Sequence, residues 1–239
     1  MQYVARVDRP HHDVSFEDFY CLSTLSASQR PGVWRSLQTR RWLALLDLIN
    51  AFRFRDRDTW QHCQRVQEYA LELGYRLKLT SQEMASLRLA SLIHDIGKIG
   101  VSDAILHKEG RLSEEEYSTI RLHAEIGERL IYPLLPHESV LSGIRHHHER
   151  MDGDGYPDRL VGKQIPLLAR IISVADVFDA LTQIRPYRKH QLTKLEAVEV
   201  IEAQTAGQLD PDLVYHFCVM IRSSAETVVE MESLKQKLS

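Results

Sequence analysis

Long apolar runs are absent from this sequence. The most apolar stretch, Trp42 to Phe52, is broken by Asp47 and Asn50, and Met1 to Arg9 holds no apolar segment of signal-peptide length. Neither a membrane span nor a secretory leader is expected, which leaves a cytoplasmic protein. Cysteine is scarce: Cys21, Cys63 and Cys218 are odd in number and scattered. That fits unpaired packing thiols in a reducing compartment rather than a disulfide framework. Charge of one sign is lacking too. A net charge of -3 creates no field for a polyanion, and no Lys/Arg-rich run marks a nucleic-acid surface. A small phosphorylated ligand needs only a few local cations and stays open.

Alternation of apolar and polar residues is also missing, as are internal repeats and low-complexity tracts. What the chain has is helical periodicity. With 239 residues, 44% of them hydrophobic and 26% charged, it can bury a substantial core. From Val33 to Arg53 the residues Trp34, Leu37, Trp42, Leu45, Leu46 and Ile49 recur at spacings of three to five. Thr59 to Leu79 continues with Val66, Tyr69, Ala70 and Leu73. Three capping-box patterns mark later helix starts, Thr80 with Glu83, Ser113 with Glu116 and Thr193 with Glu196. Gly97, Gly110 and Gly207, with Pro133, Pro136, Pro157, Pro166 and Pro211, punctuate these runs. The stretch Glu149 to Pro166, rich in Gly, Asp and Pro, reads as an ordered loop joining two helices. The expected fold is an all-α bundle.

Histidine and aspartate are unevenly spread. His62, the pair His94-Asp95, His123, the run His146-His147-His148 and Asp176 each fall inside or at the end of a predicted helix. A bundle can project side chains from several helices to one interior point, so ligands far apart in sequence can meet. Taken singly, each residue has an ordinary reading: His123 as a core or surface histidine, the triple histidine as a solvated patch. Leu89, Ala90, Leu92 and Ile93 argue that His94-Asp95 is buried, and buried charges are paired or metal-bound. Adjacent residues differ by about 100° around a helix, so two histidines of the run can face the same site while the third turns away. Imidazole and carboxylate donors with no thiolate nearby suit Fe, Mn or Zn. Cys63 adjoins His62 but is expected to point elsewhere on its helix.

Four strings complete the picture: His94-Asp95-Ile96-Gly97-Lys98-Ile99-Gly100; His147-His148-Glu149-Arg150 with Asp152-Gly153-Asp154-Gly155-Tyr156-Pro157; Ala175-Asp176-Val177-Phe178-Asp179-Ala180-Leu181-Thr182; and Arg185-Pro186-Tyr187-Arg188. Together they resemble the HD-GYP family of the HD superfamily of metal-dependent phosphohydrolases. The resemblance runs from about Arg55 to Phe217 and includes Leu209-Asp210-Pro211. No receiver or other sensor domain is recognised ahead of it. It implies an HD-superfamily helical bundle over residues 51–225, with an N-terminal helical extension at 1–50 and a terminal helix end or tail at 226–239. The first fifty residues are left two uses, as a homodimer interface or as a cover for the bundle. Two departures from the family pattern, Glu109 before Gly110 and Gln208-Leu209 before Asp210-Pro211, touch no expected ligand.

Carried over by position, the resemblance implies that His62, His94, Asp95 and Asp176 hold one ion. His123, His147 and His148 hold a second, and Asp95 bridges them. Asp58, four residues before His62, stands where some family members bind a third ion. The implied activity is hydrolysis of cyclic di-GMP, a bacterial second messenger, to linear pGpG and/or GMP. The attacking group is a hydroxide bridging two divalent ions, Fe or Mn first and Zn next. Asp95 and Lys98 are the expected catalytic residues, with Lys98 also touching phosphate. Arg185 and Arg188 match family residues that hold the other phosphate, and Tyr156 forms a rim of the pocket. In the family the Gly-Tyr-Pro loop is also linked to contact with diguanylate cyclase domains. Asp179, counted with the catalytic set, is read either as orienting a metal ligand or water, or as a solvated acid. The competing readings are an HD phosphohydrolase for another nucleotide and a ligand-responsive interaction module.

Overall fold

Residues 37–108, 110–183, 191–203 and 207–238 are described by a computed structural model of the chain. Among them every regular element is helical, in keeping with the all-α expectation. The helices are α1 (Leu37–Arg55), α2 (Arg57–Arg76), α3 (Ser81–Ile93), the short α4 (Asp103–Leu106), α5 (Glu114–Arg121), α6 (His123–Ile131), α7 (Glu138–His146), α8 (Leu167–Thr182), α9 (Lys194–Ala203) and α10 (Pro211–Leu238). A 3₁₀ turn, Ile96–Gly100, follows α3, and another, Gly162–Gln164, precedes α8.

Local chemistry sets most of these boundaries. All three capping boxes form, with the Glu83, Glu116 and Glu196 amides donating to the Thr80, Ser113 and Thr193 hydroxyls at 3.2–3.3 Å while each glutamate accepts from the cap's own N–H. Each is worth about 1 kcal/mol to its helix. Two expected limits move. α2 begins at Arg57 rather than Thr59, because the Asp56 carboxylate caps it by accepting from the Thr59 N–H at 2.9 Å. It ends at Arg76 rather than Leu79, because Lys78 takes a left-handed conformation (φ 57°) that terminates the helix.

Four helices close a ring: α2 packs on α3, α3 on α7, α7 on α8, and α8 back on α2. Apolar side chains from all four fill one core, among them Val66, Leu73, Leu87, Ile93, Ile144, Ile172 and Phe178. Trp42, Leu45 and Phe52 of α1 join the same core, so the boundary drawn at residue 50 falls inside a continuous helix. Outside the ring, α9 and α10 cover α8. There Phe178 meets Tyr69 and Phe217 edge-on, with ring centroids 4.9 and 5.0 Å apart. Asp210, buried at the start of α10, accepts from Lys163 Nζ (2.9 Å), from Arg170 and from the Asp212 N–H. One carboxylate thus ties the loop, α8 and α10 together.

Candidate metal centre

Three histidines share one local device. His94, His123 and His147 each place Nδ1 2.7 Å from the backbone carbonyl three residues earlier, that of Ser91, Ile120 and Ile144. Those carbonyls lie in the last turns of α3, α5 and α7. A carbonyl only accepts, so each Nδ1 carries the proton and each Nε2 presents a bare lone pair. All three side chains are buried. The helix ends thus fix both the tautomer and the aim of the rings.

The Nε2 atoms converge with two carboxylates. His123 and His147 bring theirs to 3.2 Å, a repulsive arrangement for two lone pairs unless a cation lies between them. His94 Nε2 is buried with no hydrogen-bond partner among the described residues. Asp95 divides its oxygens, Oδ1 lying 3.3 Å from His123 Nε2 and Oδ2 3.6 and 3.8 Å from His94 and His62 Nε2. Asp176 Oδ1 lies 3.1 Å from His62 Nε2. Two groups result, His62, His94 and Asp176, and Asp95, His123, His147 and His148, each with donor atoms within 4.8 Å of one another. His62 comes from α2, His94 and Asp95 from the end of α3, His147 and His148 from the end of α7, Asp176 from α8 and His123 from α6. The orphaned Nε2 and the facing lone pairs fit divalent cations bound by nitrogen and oxygen.

Protonation fits the same use. Burial would raise the Asp95 carboxyl, but the Lys98 ammonium and nearby imidazoles outweigh it and hold the group well below the carboxylate range. Burial, then neighbouring imidazoles, pushes His147 well down and His148 to about 3. Ionised carboxylates and neutral imidazoles are the metal-binding forms. His62 differs: burial lowers it, yet Asp176 and Asp179 together raise it to about 9, so a cation there displaces a proton.

The HD domain family model matches residues 48–213. The chain belongs to the HD-domain family. It is 39% identical over 151 residues to a 3′3′-cGAMP-specific phosphodiesterase of Vibrio cholerae, covering 63% of this chain and 33% of that protein. It is 38% identical over 181 residues to the cyclic di-GMP phosphodiesterase response regulator RpfG of Xanthomonas campestris, covering 74% and 47%. The chain therefore spans less than half the length of either relative. In fold it resembles the HD domain of the phosphodiesterase PgpH of L. monocytogenes, solved with cyclic-di-AMP, at a TM-score of 0.57, 14% identity and coverage of 76% and 96%.

HD domains are a metal-dependent phosphohydrolase fold, and around this one's donor groups the structure sorts the remaining expectations. Asp179 is no solvated acid. Fully buried, it accepts from His62 Nδ1 at 2.7 Å and from Arg65 through both oxygens at 2.7 and 2.9 Å. It stands behind the His62 ring and positions it. Lys98 Nζ donates to Asp95 Oδ2 at 2.6 Å. His146 turns away from its neighbours to Asp158, 2.9 Å from Nε2. Tyr156 leans on the His148 ring, centroids 4.9 Å apart.

Three expectations are corrected or fall outside. Cys63 does not point elsewhere: it is fully buried, and its sulfur shares a group with His94 and Asp95 donor atoms within 4.8 Å. The end of α3 crosses α2 there, so residues 62 and 63 both border the site. Burial, then Asp95, raises its thiol well above the usual value, which keeps it protonated. Asp58 is exposed and joins none of the donor groups found among the described residues. Arg185 and Arg188 lie outside the described residues.

Two supports went unread in the sequence. Arg65, one turn from His62, holds Asp179. Glu149, buried inside the second histidine string, accepts from the Asp158 and Leu160 amides at 2.7 and 3.1 Å and so pins the Gly-Tyr-Pro loop. No helix among the described residues is long and apolar enough to cross a membrane.

Proposed function

We propose that this HD domain is a metal-dependent phosphodiesterase that opens cyclic dinucleotides, with cyclic di-GMP as substrate and linear pGpG and/or GMP as product. The observation that carries the reading is the division of Asp95: one buried carboxylate faces two separate groups of histidine and aspartate donors. Seven such donors exceed what one ion takes beside a substrate, and suit two. The V. cholerae and X. campestris relatives are phosphodiesterases for two different cyclic dinucleotides, which supports the class and makes cyclic di-GMP the narrower choice.

His62, His94 and Asp176 would hold one ion and His123, His147 and His148 the other, with Asp95 facing both groups. Bound there, two divalent ions supply positive charge to phosphoryl oxygens and lower the pKa of water, Fe or Mn suiting the donors best. The chain's own residues do the rest. Asp179 and Arg65 keep the His62 ring in register. Lys98 keeps Asp95 ionised and sets an ammonium, 22% exposed, beside the reacting phosphate. Tyr156 walls the pocket at His148. Arg185 and Arg188 hold the second phosphate, and the 3′ oxygen leaves. The Gly-Tyr-Pro loop is also the contact for a diguanylate cyclase domain, and residues 1–50 serve as a homodimer interface or as a cover for the bundle.

The test is metal analysis of protein purified with and without oxygen, coupled to product identification by chromatography with cyclic di-GMP and 3′3′-cGAMP. Two ions per chain and linear product from cyclic di-GMP are expected. Full metal occupancy without turnover of either compound would leave a metal-binding interaction module instead.

A further inference from the structure

Beside the donor groups, four side chains form a continuous stack that runs outward from the site. His148 carries Tyr156 on its face, with ring centroids 4.9 Å apart. The guanidinium carbon of Arg121 lies 5.2 Å from the Tyr156 ring centre and 4.4 Å from that of Tyr117. Tyr117 and Arg121 share the outer face of α5, one turn apart, and α5 leads directly into His123.

Among the described residues, the other cations around the site are committed. Lys98 is bonded to Asp95, Arg65 to Asp179, Arg145 to Asp158 and Glu128, and Arg150 to Asp152. Arg121 has no carboxylate partner among the described residues, and it is exposed. Held against two rings, it keeps the planar fork of N–H donors along its edge unspent. Such a fork matches two oxygens of one phosphate. Ions at the donor groups can neutralise a single phosphate, whereas a cyclic dinucleotide carries two, and the second requires a cation outside the metal centre.

We infer that Arg121, clamped between Tyr117 and Tyr156, is a substrate-positioning residue that shares with Arg185 and Arg188 the binding of the non-reacting phosphate of a cyclic dinucleotide. The inference rests on the function proposed above and names a residue that the four sequence strings do not contain. It makes Tyr156 part of a cation clamp as well as a wall.

The test compares metal-loaded wild type, Arg121→Ala, Arg121→Lys and Tyr117→Ala on cyclic di-GMP and on bis(p-nitrophenyl) phosphate, which has no second phosphate. For Arg121→Ala the ratio of kcat/KM for cyclic di-GMP to that for the small ester falls about tenfold or more, through KM with kcat nearly constant. Arg121→Lys, which keeps charge without the fork, and Tyr117→Ala, which keeps the fork without its outer ring, fall between. Parallel losses on both esters with lowered metal content mean that Arg121 only braces the loop, and overturn the inference. So does an unchanged ratio. Wild type that cleaves the small ester but no cyclic dinucleotide defeats the proposed function itself, and this inference with it.

Discussion

His62 Nδ1 lies 2.7 Å from Asp179 Oδ2, and because a carboxylate can only accept, the ring must donate there, which leaves Nε2, facing Asp176 and Asp95, as the nitrogen that gives up its proton to a cation. Asp179→Asn keeps the size but removes the charge, and an amide can present its NH₂ to Nδ1 and so favour the wrong tautomer. Arg65 loses its partner in the same step. Affinity for the ion at His62 and His94 should drop about 10- to 100-fold, read by competition with a chelating dye. A variant that binds metal as tightly as wild type while losing kcat would move Asp179 from support into the reaction itself.

Asp95 is the donor shared by both groups, so its loss should not be local. Asp95→Ala removes the carboxylate facing His123 on one side and His94 and His62 on the other, and leaves Lys98 without its 2.6 Å partner. Purified under conditions that load wild type fully, the variant should carry well under one ion per chain and show no phosphodiester turnover. Retention of one tightly held ion would mean that the two groups are independent and Asp95 serves only one.

Away from the metal centre, Asp210 offers a stability test with a defined pH dependence. Burial would raise its carboxyl, but Lys163 and Arg170 outweigh burial and hold it below the ordinary value. A depressed folded-state pKa means that the contribution is complete above the unfolded value of about 3.9 and is lost as pH falls through the folded value. Asp210→Asn leaves Arg170 short of a charge partner in a half-buried site and should cost about 3 kcal/mol near neutrality. In urea titrations the gap between variant and wild type should stay constant from about pH 8 to 5 and narrow only in more acidic solution. A gap that is already closed at pH 6 would point to some other titrating group.

Much of this centre was legible because its strings resemble a known family and because five of its seven donors sit at helix ends with strong local signals. The capping boxes, the apolar run ahead of His94-Asp95 and the spacing of Asp176 and Asp179 are all local patterns. What escaped depends on crossing geometry. Cys63 was turned away because a helical wheel separates it from His62 by about 100°, yet the end of α3 lies across both positions. Asp58 failed for the reverse reason: it shares a face with His62, but one turn earlier its side chain meets solvent. Arg65 and Glu149 act through other residues, and nothing in a single sequence distinguishes a buried supporting charge from a solvated one.

Gly97 shows how far apart the two readings of one glycine can be. Its place in sequence suggests a helix stop, but the 3₁₀ turn that holds it lies against the start of α6, and a Cβ built there would collide with the His123 carbonyl oxygen and crowd the Gly127 amide at 2.6 Å. Backbone faces backbone, so no side chain can swing aside. Gly97→Ala must therefore separate the turn that follows Asp95 from the helix that begins with His123, whose Oδ1 and Nε2 now lie 3.3 Å apart. Overpacking of this kind costs about 1–3 kcal/mol, and thermal unfolding should show it. The sharper measurement is metal stoichiometry: the group containing Asp95 and His123 should weaken, while His62, His94 and Asp176, on the far side of Asp95, keep their affinity. Equal weakening of both sites, or an alanine variant with wild-type metal binding and stability, would show that the turn and α6 can part without opening the centre.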